Sequence, residues 1–459
     1  MSTINNAGLC PKWVPDEQVG MEGWHPDWVK SLIMAQLRVE SATDEGTFEA
    51  AVRVLDHYQE VGVNALWLTP IYDKGETGNG YSNIGLHSVN PQLTGCDTYE
   101  ESWEAVRRFV DEAHKRDIRI YLDVIVWGTV KESPLVTEHP DWYRGYLDVW
   151  GGYKWNWYNE ELREWFANEL IRITEQTGVD GFRVDLEPLV TGYSLFRDIR
   201  RRLLERGRKI SVFAECTSER GEAYDFDEQI TNEDPERWHM HTMFTERLNI
   251  VDAVKKGWGH GTIWAQDNDL GGKARFYCLC LSCHDNQQAC LCGDRIRIGY
   301  QALFGPYIPL WFIGDDWDNP KTIPGGLFVN YINWDLRDDP AHRPFLEAVK
   351  QMIRVRRSYP DLFEYFPENH RETNICKVNS DCALQAYARY AQGRAAVVLV
   401  NTGDKEQTFT AAIPFDELGL SSDVTASELL RGSEVTRRGG TLCVSIPPRD
   451  VAVVLLEKM

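Results

Sequence analysis

Three acidic residues stand just after short apolar runs in this chain. Asp185 follows Gly181-Phe182-Arg183-Val184, Glu215 follows Val212-Phe213-Ala214, and Asp285 follows His284 at the end of the run Phe276–Cys283. A pair of carboxyls can cleave a glycosidic bond if one stays ionised as nucleophile and the other stays protonated as general acid. Asp185 suits the first role, because Arg183 lies two residues earlier and leans to the same face of an extended strand. A cation at that distance lowers a carboxyl's pKa. Glu215 suits the second, since an apolar strand and neighbouring acids raise a carboxyl's pKa. Asp285 is then left to hold sugar hydroxyls and the developing positive charge of an oxocarbenium-like transition state. Taken singly, Arg183–Asp185 reads equally well as a structural ion pair at a strand end. A fourth acid, Asp123, lies within the run Arg119–Val126. Several acids on one rim, one beside Arg183 and another beside His284, are hard to accommodate without a task.

The elements that must carry these residues alternate in type. Strands are expected at Leu32–Leu37, Ala65–Thr69, Arg119–Val126, Gly181–Val184, Ile210–Ala214, Phe276–Cys283 and Ile308–Ile313. Helices are expected at Phe48–Val61, Thr98–Arg116, Glu161–Thr177, Ser194–Arg206, Arg295–Phe304 and Phe345–Arg357. Such alternation implies a parallel sheet, and the number of units favours a closed (β/α)8 TIM barrel, an α/β fold, over an open doubly wound sheet. In such barrels active groups come from the C-terminal ends of the strands. No G-x-G-x-x-G follows the first strand, which argues against a dinucleotide fold. Beyond about residue 365 short strand-like runs separated by turn signals such as Gly439-Gly440 read as an all-β domain. The expected division is a catalytic barrel over 1–362, with a short inserted segment at about 127–160 after the third strand, and a β-sandwich-like domain over 363–459.

These segments, taken in order, resemble the motif set of the α-amylase family of retaining α-glycosidases and transglycosidases. GVNALWLTPI (62–71) is similar to the family's second strand, and YLDVIV (121–126), GFRVD (181–185), FAEC (213–216) and SCHDN (282–286) are similar to its four signature motifs. The resemblance implies Asp185 as nucleophile, Glu215 as acid/base and Asp285 as transition-state stabiliser. It further implies that Arg183 and His284 line the subsite of the transferred glycosyl unit and that Tyr81, in GNGYSN, stacks on it. Asp123 belongs to the same substrate-binding set.

The departures from the pattern concern specificity. Trp127 and Gly128 stand where the first motif usually ends Asn-His, so Trp127 enters the substrate-binding set. An indole cannot replace the asparagine as a calcium ligand, and no metal is expected there. Pro188 and Leu189 replace a Lys-His pair that engages the leaving sugar, and Glu187 just before them takes over part of that polar role. Ser82 replaces the Asp that commonly follows the tyrosine. Together these changes point away from ordinary starch hydrolysis.

Composition narrows the partners. The balance of 49 Lys+Arg against 70 Asp+Glu, a net charge of −21, argues against nucleic acid and anionic membranes. An oligosaccharide or small glycoside remains as partner, and no cofactor is called for. The 17 Trp supply either core or sugar-stacking faces, and the aromatic segment 139–158 is read as a stacking wall, with plain packing as the alternative. Trp311, Asp315, Asp316 and Trp317, at or after the last strand, fall within reach of the same mouth. Cys278, Cys280, Cys283, Cys290 and Cys292 do not match a paired CxxC zinc framework. The N-terminus has no basic region followed by an apolar run, so the 11 cysteines are expected as reduced thiols in a cytoplasmic protein. The expectation is a retaining α-glycoside hydrolase acting on an α-glucoside or short α-glucan through a covalent glycosyl-Asp intermediate. The alternatives are a transglycosidase or phosphorolytic enzyme with the same triad, and a catalytically inactive carbohydrate-binding protein.

Overall fold

Residue parity along the apolar runs decides which side chains meet, because successive side chains of a strand point to opposite faces. The computed structural model describes residues 26–75, 80–148, 150–185, 193–214, 262–265, 277–284, 295–301, 303, 307–320, 332–364 and 374–459. Its first eleven strands are β1 (Met34–Leu37), β2 (Ala65–Leu68), β3 (Arg119–Val124), β4 (Gly128–Val130), β5 (Tyr143–Leu147), β6 (Gly152–Trp155), β7 (Gly181–Val184), β8 (Ser211–Ala214), β9 (Thr262–Ala265), β10 (Tyr277–Cys280) and β11 (Tyr307–Phe312). Eight of them close into a barrel in the order β1-β11-β10-β9-β8-β7-β3-β2. Met34, Ala65, Trp67, Tyr121, Ile308 and Leu310 form one inner cluster with Val29 and Leu32. Residues of the other parity, such as Ala35, Leu66, Leu122, Phe182 and Val184, pack outward into the larger core shared with the helices. The sheet is thus buried on both faces, which is why its strands read as continuous apolar runs.

The helices Tyr99–His114, Glu160–Thr177, Tyr193–Glu205 and Arg343–Ser358 lie within two residues of their expected bounds. Their starts are fixed by side chains that satisfy exposed N–H groups: Thr98 accepts from the Glu101 N–H and Asn159 from the Leu162 N–H. Phe48–Val61 is broken into a helix Phe48–Ala51, a 3-10 turn Val52–Val54 and a helix Leu55–Val61.

Two expectations are corrected. Strand–helix alternation implies an all-parallel barrel, yet β9 pairs antiparallel with both β8 and β10. The handedness and direction rules apply to strands joined by a covering crossover, and the sequence from 215 to about 273 carries no such alternation. Of the described part of the run Phe276–Cys283, residues 277–283, only Tyr277–Cys280 forms a strand. The chain then leaves the strand but stays pinned to β11: the Leu281 N–H donates to the Leu310 carbonyl at 2.7 Å, and Ser282 Oγ accepts from the Phe312 N–H at 2.9 Å.

The short insertion after the third barrel strand is a three-stranded antiparallel sheet, β4-β6-β5. The C-terminal unit adds β12 (Ile375–Ser380), β13 (Ala386–Ala391), β14 (Arg394–Asn401), β15 (Gln407–Ala412), β16 (Val424–Glu428), β17 (Val435–Arg438), β18 (Thr441–Ile446) and β19 (Asp450–Lys458). They form one antiparallel sheet ordered β16-β19-β14-β13-β12-β15-β18-β17. β12 pairs with β13 through residues 375–378 and with β15 through 379–380, so the sheet divides there into two halves. Val378, Val397, Phe409, Val444 and Val454 meet in a core of their own. The other face of β14 and β19, with Val398, Val400, Val451 and Val453, joins the barrel's core.

The seam between the two units explains an irregular helix. Arg297–Gln301 is a π turn rather than the expected α-helix. A Cβ on Gly299 would sit 2.5 Å from Val451 Cγ2 and 2.9 Å from Met352 Cε, so only glycine lets this turn lie against β19. Tyr300 completes the seam, donating its hydroxyl to the Gln385 carbonyl and accepting at its own carbonyl from the Tyr387 hydroxyl, both at 2.8 Å. Gly299→Ala is therefore expected to lower unfolding free energy by about 1–3 kcal/mol through overpacking. Combining it with Val451→Ala, which removes the clashing methyls, should cost less than the sum of the single changes in urea titrations; strict additivity would contradict this packing.

Candidate active site

The inward-pointing residues of neighbouring strands meet at the C-terminal end of the barrel. Asp123 of β3 is in register with Arg183 of β7, and Gln36 of β1 with Trp67 of β2. Arg183, almost fully buried, donates from Nη1 to Asp123 Oδ1 and Oδ2 at 2.8 and 3.0 Å and to Asp185 Oδ1 at 2.8 Å. Asp123, with no exposed surface, also accepts from the Tyr81 hydroxyl at 2.9 Å and from Trp67 Nε1 at 3.1 Å. The Arg183 guanidinium lies over the Trp67 ring at 4.7 Å, adding a cation–π contact.

His284 closes the ring of contacts from the opposite side of the barrel. Its imidazole stacks on Tyr81 with centroids 4.8 Å apart and planes 6° from parallel, and it meets the edge of Trp67 at 5.8 Å. Nδ1 and Gln36 Nε2 share a hydrogen bond of 2.6 Å. Burial holds the His284 imidazole well below the usual histidine range, and the charges of Arg183 and Arg38 push the same way. The ring is therefore neutral at neutral pH.

Asp185, the first residue past β7, is tied by its N–H to the Val124 carbonyl at 2.9 Å. Its side chain keeps 12% of its surface exposed, against 1% for Arg183 and none for Asp123. Of the acid cluster that the structure describes, Asp185 is thus the member that faces outward. A carboxylate so held can act as nucleophile or as an anionic stabiliser.

The structure brings together five of the expected site residues: Tyr81, Asp123, Arg183, Asp185 and His284. Glu215, Asp285 and Glu187 lie outside the described residues, as do Pro188 and Leu189; Ala214, in register with Val184, is the residue before Glu215. Trp127 is buried behind Tyr81, donating Nε1 to the Tyr81 carbonyl at 2.9 Å and packing on Trp150 at 5.1 Å. Its place is that of a brace for the tyrosine. Gly128 opens β4, where a Cβ would fall 1.9 Å from the Tyr153 carbonyl oxygen.

The aromatic segment 139–158 is divided between the two readings. Trp142, Trp155 and Trp157 are core, whereas Tyr146, Trp150 and Tyr158 are exposed. The group at the end of β11 turns inward: Trp311, Asp315, Asp316 and Trp317 are buried, and Asp316 Oδ2 bonds His57 Nε2 at 2.7 Å. Cys278 and Cys280 are in register with Ile308 and Leu310 of the inner cluster, and Cys290 and Cys292 lie outside the described residues. Among the described residues no group of three or more His, Cys, Asp and Glu could hold a metal ion, and no helix is long and apolar enough to cross a membrane.

Gln36 and Trp67 are site residues that sequence reasoning did not single out. The available signal was one amide within the otherwise apolar run Ile33-Met34-Ala35-Gln36-Leu37. For Trp67 there was none, because an inward-facing tryptophan on a barrel strand reads as core.

The model of the α-amylase catalytic domain matches residues 38–143, and that of the α-galactosidase C-terminal β-sandwich domain matches residues 381–456. A malto-oligosyltrehalose trehalohydrolase of Arthrobacter ramosus is 23% identical over 381 residues, covering 72% of this chain and 64% of that protein. An Anoxybacillus α-amylase structure superposes with a TM-score of 0.71 at 16% identity, covering 95% of this chain and 99% of that one. Residues 38–143 thus match the α-amylase catalytic domain, and the fold is that of α-amylase structures. Another α-amylase family structure, that of Geobacillus thermoleovorans with acarbose, superposes with a TM-score of 0.70 at 14% identity, covering 95% and 100%. A trehalose-6-phosphate hydrolase of Bacillus subtilis (strain 168) is 26% identical over 210 residues, 36% of each chain. The chain spans between about a third and two thirds of the length of the curated relatives it matches first.

Two measurements probe the cluster. Asp123→Ala strips a fully buried partner from Arg183 and is expected to cost about 3–5 kcal/mol of stability in urea unfolding. His284 supplies a pH dependence with a definite sign. Its folded pKa lies below the unfolded value, so in the interval between them the unfolded chain binds more protons, and stability falls as pH drops below about 6.5. Between pH 6.5 and 5.5 the parent should lose up to about 1 kcal/mol more than His284→Asn; parallel stability curves would show that the ring titrates normally.

Proposed function

We propose that the chain is a retaining α-glycoside hydrolase acting on an α-glucoside or short α-glucan. Asp185 attacks the anomeric carbon and forms the covalent glycosyl intermediate. Glu215 protonates the leaving oxygen and then activates water, and Asp285 stabilises the oxocarbenium-like transition state. The observation that carries this reading is Asp185 itself. It is an anionic group at the C-terminal end of a barrel strand, held at 2.8 Å by a buried arginine whose charge is shared with the fully buried Asp123. Arg183, Tyr81, Asp123 and His284 form the wall of the subsite for the transferred glycosyl unit, and Glu187 takes part of the polar role toward the leaving sugar. Residues 1–362 are taken as the catalytic unit and 363–459 as the appended β domain.

The relatives support this substrate class. Besides the two hydrolases of trehalose derivatives, an oligo-1,6-glucosidase of Saccharomyces cerevisiae is 24% identical over 213 residues. All three names describe hydrolysis, which favours water over a sugar or phosphate as acceptor. A cytoplasmic location, with the thiols reduced, accords with an intracellular supply of such glucosides.

Asp185→Ala and Glu215→Gln are each expected to lower kcat on an activated aryl α-glucoside by at least about 10²–10⁴-fold without loss of the folded state by circular dichroism. NMR of the first-formed product should show retained α-configuration. Undiminished turnover in either variant, or an inverted product, would remove the assignment. Trials with maltose, sucrose, trehalose and isomaltose, with and without phosphate, assign the acceptor.

A further inference from the structure

We infer that Gln36 is a positioning residue that fixes His284 as the neutral tautomer with its proton on Nε2. The His284 backbone N–H, which can only donate, points at Gln36 Oε1 at 2.8 Å. That bond settles the orientation of the amide, since the reversed amide would set two donors against each other. With Oε1 so engaged, Nε2 of Gln36 lies 2.6 Å from His284 Nδ1. An amide nitrogen is a donor without acceptor capacity, so Nδ1 must present its lone pair, and the single ring proton of neutral imidazole resides on Nε2. Turning the ring over would bring Cδ2–H against the same donor. Gln36 is fully buried, and the ring plane is held between Tyr81 and the edge of Trp67. One side chain thereby grips both the backbone and the ring of the same residue from across the barrel mouth.

This inference rests on the glycosidase reading for its consequence, though not for its geometry. A neutral ring with Nε2–H offers a donor to a sugar hydroxyl oxygen and adds no second cation beside Arg183. An imidazolium at this place would repel the positive charge that develops on the glycosyl unit. Among the described residues, the charged groups around the ring are Arg183 on β7 and Arg38 just beyond β1, both of which oppose its protonation, with Asp123 bonded to Arg183 and to the Tyr81 hydroxyl. Gln36 opposes protonation in a different way, because a proton on Nδ1 would face the amide N–H.

The test is long-range ¹H–¹⁵N correlation on the full chain labelled with ¹⁵N-histidine, the His284 signals being assigned from their loss in His284→Gln. The parent should show the Nε2–H pattern at neutral pH. Gln36→Glu keeps the shape and the acceptor for the backbone N–H but replaces the donor with a carboxylate oxygen, so the ring should move its proton to Nδ1 or become imidazolium. Gln36→Leu should leave a mixture of tautomers. On the aryl α-glucoside, Gln36→Glu should lower kcat/KM by about 10–100-fold and move the acid limb of its pH profile upward, whereas a merely structural role would leave that limb in place. A parent spectrum with Nδ1–H, or an unchanged Nε2–H pattern in Gln36→Glu, overturns the inference, and the parent spectrum alone decides if neither variant folds. If no α-glycoside is turned over, the functional reading fails while the tautomer result stands on its own.

Discussion

One buried guanidinium organises the mouth of this barrel. Removing an arginine from water is expensive, and the expense is offset only where carboxylates and further hydrogen bonds surround it. Arg183 meets that condition through Asp123, Asp185 and the faces of Trp67 and Tyr81. The two carboxylates are not equivalent. Asp123 is sealed inside with donors from three residues and takes up the arginine's charge; Asp185 shares the same Nη1 from the rim. The cation thus orients the outer carboxylate while the inner one keeps it from being fully neutralised. A nucleophile needs that combination, because a carboxylate paired one-to-one with a buried arginine would be held firmly but would have little charge left to offer.

Strand parity is what lets these residues meet. Asp123 and Arg183 sit on the same inward row as Tyr121 and Trp67, one step nearer the C-terminal end, so the polar cluster rests on an apolar floor of Met34, Ala65, Leu310 and the tryptophan. A one-residue register shift in β3 or β7 would carry the charges to the helix-packed face. The outer row, Ile120, Leu122, Val124, Phe182 and Val184, is fully apolar and binds the strands to the helices. The hydrophobic periodicity that specifies the fold thereby specifies the site as well.

That linkage also explains what could be read from the sequence. The regular helices, six of the eight barrel strands within two residues, and the Asp123–Arg183–Asp185–His284 grouping were legible because each rests on local periodicity or on a motif that carries its own chemistry. What escaped depends on neighbours distant in sequence. Gln36 gains meaning only from His284, 248 positions away. Strand β9 has no flanking alternation to announce it. The edge strands β16 and β17, with sequences VTASE and VTRR, face solvent on one side and carry too few apolar residues for the alternation to stand out. The π turn at Gly299 is imposed by β19, more than 150 residues downstream.

Trp127 and Gly128 show how such a constraint reshapes a functional surface. Read as a sequence, they are two replaced polar side chains. In the structure Gly128 is there because β6 passes so close that the Tyr153 carbonyl occupies the position of any Cβ. A histidine at 128 is therefore incompatible with the small inserted sheet as it stands. Trp127, in turn, spends its indole N–H on the Tyr81 carbonyl and its face on Trp150, fixing the tyrosine that bonds Asp123 and stacks on His284. The indole is thus spent on the rigidity of Tyr81. The inserted sheet thus sets both the shape and the polarity of this side of the mouth, and its pairing register, more than the identity of any single substituted residue, governs what can lie against Tyr81.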